Sequence, residues 1–183
     1  MITAPMVMVT EALKSFYSNA DDANKVIMTA ALTAASADAI GGAIPGLAIP
    51  ATIVSCFGTV WVMYGAICRK LGINMKDKAL KLLARAALAN IAANLGGALA
   101  ALIAGMLVPG GSILASAVVA FLTVYLAGLV FLKTLAKLAA AASDPHSFSD
   151  MSEGDMKRAM KETKVSKEDL EAARKAYGTS KAT

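Results

Sequence analysis

The chain has 183 residues, of which 57% are hydrophobic and 17% charged, with a net charge of +5 and a mean hydropathy of +0.59. That is more apolar than a water-soluble domain of this length usually is, and with 5% aromatics and no basic stripe it excludes a nucleic-acid binder. A single His, two Cys inside an apolar run, and no phosphate-binding or nucleophile-elbow motif leave catalysis without a cast, so no enzyme and no cofactor are expected.

Taken in chain order, residues 1–22 read as an N-terminal segment whose interfacial helix carries Val7, Leu13, Phe16 and Tyr17 on one side. It lacks a basic n-region and a small-residue cleavage site, so no cleaved signal peptide is expected. Asp21 or Asp22 is placed to cap a helix over 23–44. Ile44-Pro45-Gly46 then makes a turn, and a long apolar helix follows from near Pro50 to Cys68. Arg69 to Arg85 is a basic connector in which Lys78, Lys81 and Arg85 share helical spacing. A third helix is expected from about Ala79 to Val108, a second turn at Pro109-Gly110-Gly111, and a fourth helix from Ser112 to about Ala142.

Residues 45–71 and 109–135 are two copies of one segment, offset by 64 positions. Pro45-Gly46 aligns with Pro109-Gly110, Phe57 with Phe121, Thr59-Val60 with Thr123-Val124, and Leu71 with Leu135. The preceding arms align as well, Ile27 with Ile91 and Ala34 with Ala98. No ionisable side chain occurs from Ala39 to Cys68 or from Ala86 to Leu132. A run of about 22 uncharged residues at 1.5 Å each matches the roughly 30 Å of a bilayer core. The expected fold is therefore all-α: a membrane domain, 23–142, of two helical hairpins (23–71 and 79–142). Both turns would lie on one side of the membrane, with Lys25, Arg69–Arg85, Lys133 and Lys137 on the other. By the positive-inside rule the basic side is cytoplasmic, which predicts a multi-pass inner-membrane protein with both termini in the cytoplasm. The first arm, interrupted by Asp38, leaves a shallow first hairpin or a three-span arrangement open.

From Ser143 the chain is polar and neutral. Ser152-x-x-Asp155 and Ser166-x-x-Asp169 are capping-box signatures that open helices near 153–163 and 167–177, with Gly178 closing the second. Leu170, Ala173 and Tyr177 form a thin apolar edge on which this tail, 143–183, docks to its own domain or to a partner; a solvated appendage is the other reading.

The candidate functional residues are polar groups within apolar helices. Asp38, Thr29, Thr33, Asn90 and Asn94 form a candidate ion or polar path, an ionisable group at membrane depth being costly to desolvate. Interhelical packing and back-bonding of the hydroxyls is the simpler reading of the neutral ones. Gly97, Ala101 and Gly105 form a small-residue ridge that lets a second helix approach, within the hairpin or in a homo-oligomer. His146 has no ligand cluster around it, so no metal is expected. Cys56 and Cys68 read as small buried hydrophobes.

Pro45-Gly46-Leu47, Tyr64-Gly65, the bases from Lys76 to Arg85 and Tyr125-Leu126-Ala127-Gly128 together resemble the bacterial helical domain of unknown function often fused behind small GTPase domains. That domain also occurs as stand-alone short membrane proteins. The resemblance covers roughly residues 26–140, and it implies membrane association without catalytic residues. An acid common in that family after the Pro-Gly is Ala48 here. No GTPase motif is present, so a nucleotide-driven activity is expected only through another chain, with the tail as the contact. Three functions follow: a membrane anchor or oligomeric scaffold with a docking tail, a pore former delivered in soluble form, and a soluble bundle that buries a hydrophobic hairpin.

Overall fold

The computed structural model describes residues 3–40, 56–104, 112–148 and 151–180, with the side chains of 38–40, 94–104, 112–116 and 180 left out of the description. The described residues form seven helices: α1 (Ala4–Lys14), α2 (Ala20–Ile40), α3 (Phe57–Leu71), α4 (Asp77–Ala104), α5 (Ser112–Ala141), α6 (Glu153–Glu162) and α7 (Lys167–Ser180). Among these residues the only extended pairing is one bridge between Asn74 and Ser147. The all-α expectation is met.

The architecture follows from α5. Every residue from Ala117 to Leu132 is buried, so this helix has no polar face to turn outward. A helix apolar all round must be enclosed by protein or by lipid. Here all six other described helices pack against it. α2 and α4 start at the end of the molecule marked by Pro145 and His146. There Tyr17, just before α2, donates its hydroxyl to the Pro145 carbonyl (2.6 Å), and Asn74, just before α4, donates its amide to the His146 carbonyl (2.8 Å). α3 and α5 finish at this same end. α2 and α4 therefore finish, and α3 and α5 begin, at the opposite end.

Helices meet closely at Tyr64-Gly65 and Tyr125-x-x-Gly128. Gly128 of α5 receives Ile27 of α2, and a Cβ at 128 would lie 2.6–2.9 Å from three Ile27 side-chain carbons. Beside it, the Tyr64 hydroxyl donates to the Ala127 carbonyl (2.9 Å), and its ring stacks on Phe131 at 3.8 Å between centroids. Tyr64-Gly65 and Tyr125-x-x-Gly128 thus mark a helix crossing. Gly72 ends α3 in the left-handed conformation (φ 68°), and only five residues, 72–76, separate α3 from α4. Most of the expected basic connector is helical.

At the ends of the chain one expectation needs correction and one pair of readings is decided. The buried face of α1 is Met6, Thr10 and Leu13, continued by Tyr17, while Val7 is exposed. The reason is polar: the Asn24 amide of α2 donates to the Thr10 hydroxyl (2.9 Å), and Thr3 bonds the Tyr125 hydroxyl (2.7 Å), which sets Met6 in place of Val7 against the core while Leu13 and Tyr17 stay buried. The tail is not a solvated appendage. Ala173 is fully buried, and Tyr177 meets Phe121 edge-on at 5.1 Å. Met156 and Met160 of α6 are buried as well. The two capping boxes form as expected, with the amides of Asp155 and Asp169 donating to Ser152 and Ser166.

The Ile27–Gly128 contact gives a direct test. Gly128→Ala should destabilise the fold by about 1–3 kcal/mol, because the β-branched Ile27 has no other rotamer to retreat to. Ile27→Ala should then cost less in the Gly128→Ala background than in the parent protein, read as coupling in a double-mutant cycle by urea unfolding. Strictly additive losses would show that the crossing is not the cause.

Candidate functional site

The described residues hold one helix long and apolar enough to cross a membrane, Ala117–Ala141, with a mean hydropathy of 2.1. It is also the core helix, with 94% of its most apolar window buried in the protein. The expectation of four crossings therefore has one candidate among the described residues. The helices around that candidate are not all apolar. α7 lies against α5 from Lys133 to Phe121, and its outer face exposes Glu168, Glu171, Arg174 and Lys175.

A buried ion pair holds α7 in place. The Lys133 ammonium lies 2.6 Å from the Asp169 carboxylate, which is 2% exposed. The same carboxylate oxygen accepts the Ser166 amide (2.9 Å), so one acid both caps α7 and pins it to α5. Next to it, Thr134 bonds Thr163 (3.3 Å), and Asn90 of α4 donates to the Thr163 carbonyl (3.0 Å).

The basic residues read from sequence as a membrane-facing charge belt are partly used in packing. Lys81 sits 4.5 Å from the Trp61 ring, and the Trp61 indole donates to Asp77 (2.9 Å). Arg85 lies over Phe57 at 5.5 Å, and Lys78 pairs with Glu153 of the tail at 2.8 Å. The hydrogen bond from Lys81 holds the Asp77 carboxyl below its usual range, with Trp61 adding to it.

Two side grooves flank this core. The larger, about 760 Å³, runs between α2 and α3. Asp22, Lys25 and Lys70 stand at its mouth, and Val26, Ala30, Val62, Met63 and Ala66 line it. Thr29, Thr33 and Thr59 are in its walls. The Thr33 hydroxyl donates to the Thr29 carbonyl (2.9 Å), the back-bonded state expected of a helical threonine. At the mouth, Lys25 bonds Asp22 at 3.0 Å. That hydrogen bond, then the charges of Lys25 and Lys70, hold the Asp22 carboxyl below its usual range. The smaller groove, about 430 Å³, lies between α4 and α6, with Ala86, Ala89, Asn90 and Ala93 facing Lys157, Lys161 and Lys164.

The path residues whose side chains are described do not share one groove. Thr29 and Thr33 face the α2–α3 groove, whereas Asn90 is engaged with Thr163 on another face. The side chains of Asp38 and Asn94, and the ridge Gly97–Ala101, lie outside the described side chains. Gly105 and the turns Pro45-Gly46 and Pro109-Gly110 lie outside the described residues altogether. Burial pushes the Cys68 thiol up to about 12, so little thiolate is available near neutral pH. No group of three metal-ligating side chains occurs among the described residues.

Lys133 and Asp169 are the functional-looking pair that sequence reading missed. They are 36 residues apart, and the only local signal was the capping box that Asp169 completes.

Comparison with family profiles, with curated proteins and with solved structures finds no match for this chain.

Removing the acid of the clasp should release the tail. Asp169→Ala should cost about 2–3 kcal/mol, since it strands Lys133 and removes the cap. Limited trypsin digestion should then cut within 157–175 well before the core. If the variant resists trypsin as the parent protein does, the pair does not hold the tail.

Proposed function

We propose that this protein is a non-enzymatic membrane-binding scaffold that meets the bilayer end-on. The end at which α2 and α4 finish and α3 and α5 begin, near which these four helices carry one ionisable residue, Asp38, would dip into one leaflet, and the opposite, charged end would remain in water to receive partners. The observation that carries the reading is the two-ended distribution of charge. α2, α3, α4 and α5 all reach that first end, and the sequences of segments 41–55 and 105–111 hold no ionisable group. Tyr177 brings the polar sheath on α5 up to Phe121. From Phe121 back to Ser112 is about 13 Å of helix, nearer to one leaflet than to a full crossing. This is the anchor reading in a shallower form, with an inner-membrane cytoplasmic face as the proposed location. A homo-oligomer and a protein partner such as a GTPase remain proposals attached to it.

A second reading is favoured by α5 itself. A membrane-length apolar helix sheathed by polar helices is what a pore former delivered in soluble form would hold in reserve. In that case α4 and α5 would leave the sheath and cross the bilayer.

Vesicles distinguish the two. Purified protein mixed with anionic vesicles loaded with a self-quenching dye should float with them and release little dye. Leu47→Asp together with Leu107→Asp should abolish flotation while leaving helicity unchanged, because a charge near the bilayer centre costs several kcal/mol. Rapid dye release would select the pore former. Protein that never floats would remove both readings.

A further inference from the structure

We propose that the groove between α2 and α3 binds a single-chain anionic amphiphile, with its chain along Val26, Ala30, Val62 and Met63 and its acidic head between Lys25 and Lys70. The inference is independent of how the protein meets a bilayer. The lining recurs at helical spacing on both walls, 22, 26, 30 and 33 on α2 and 58, 62, 66 and 70 on α3, so the slot is continuous from its charged mouth to Thr33. Small residues open it. Nothing lies within 4 Å of where a Cβ on Gly58 would be.

The slot leaves apolar surface without a partner: Val62 is 61% exposed, beside Val26, Ala30, Met63 and Ala66. The hydroxyl at its inner end makes no demand for water. Thr33 is bonded to the Thr29 carbonyl, so a hydrocarbon chain crossing it strands no donor. The mouth selects the sign of the head. Lys25 neutralises Asp22, which leaves the Lys70 charge in excess, with Arg69 exposed beside it.

The shape argues against a peptide. Both walls are helices with their backbone groups already paired, so an extended strand would find nothing to bond. The groove holds about 760 Å³, within the range of small-ligand sites.

The test is a fluorescence titration of purified protein, without vesicles, using a dansyl-labelled undecanoic acid below its micelle concentration. Binding should be saturable, at one probe per chain. Lys25→Glu with Lys70→Glu should weaken the acid by about tenfold and leave the methyl ester of the same probe unchanged. Val62→Asp, at a mostly exposed position, should weaken both probes without changing the melting temperature. Lys157→Glu with Lys161→Glu, in the other groove, should change neither. Non-saturable binding, equal losses from the two lysine pairs, or an acid unaffected by reversal at the mouth would overturn the proposal.

Discussion

A helix with no polar face has to be surrounded, and most of this molecule is the surrounding of α5. Sixteen consecutive buried residues, Ala117 to Leu132, impose a requirement that the hairpin partner α4 cannot meet alone. The first hairpin contributes through Ile27 on Gly128 and through Tyr64 on Ala127 and Phe131. The ends of the chain complete the enclosure, α1 through Met6 and Leu13 and α7 through Ala173 and Tyr177. Deleting any layer would leave α5 facing water, at about 25 cal/mol for each Å² of apolar surface exposed.

The enclosure also explains the fate of the charges. Lysines that sequence alone assigns to a membrane surface serve as fasteners: Lys133 to Asp169, Lys78 to Glu153 and Lys81 over Trp61. Of these, the Lys133–Asp169 clasp is the most buried and the most exposed to failure. Its acid cannot lose its partner without leaving a charge in a nearly dry site. The exposed pairs contribute little by comparison, being screened by solvent. On the end-on reading these fasteners keep the charged end assembled while the opposite end meets lipid. On the pore reading they would be the contacts that must break first.

What was legible in the sequence was local. The capping boxes at Ser152 and Ser166 and the extent of α5 depend on neighbours within a few residues, and each could be read directly. The back-bonded Thr33 was legible for the same reason. The buried face of α1 was not, because Thr10 is held by Asn24 and Thr3 by Tyr125, and neither partner is visible from the helix's own pattern. Docking of the tail stayed undecided because its decisive contacts span 36 and 56 positions, Lys133 to Asp169 and Phe121 to Tyr177. Hydropathy had a deeper ambiguity. A helix apolar on all sides satisfies the same pattern whether lipid or protein covers it, and only the position of α7 separates the two. The candidate site fared similarly. Thr29 and Thr33 were correctly seen to share a face, but their neighbour across the groove is Thr59 and not Asn90.

The claim that decides between these accounts is that α5 keeps its sheath when the protein meets a membrane. It is tested most directly by the distance between spin labels at two exposed positions, Lys137→Cys on α5 and Lys175→Cys on α7, in a background lacking Cys56 and Cys68. Pulsed electron resonance should give the same narrow distribution in buffer and on anionic vesicles if the sheathed body docks end-on. A longer or broadened distance on vesicles would mean that α7 has left α5, and would contradict the account.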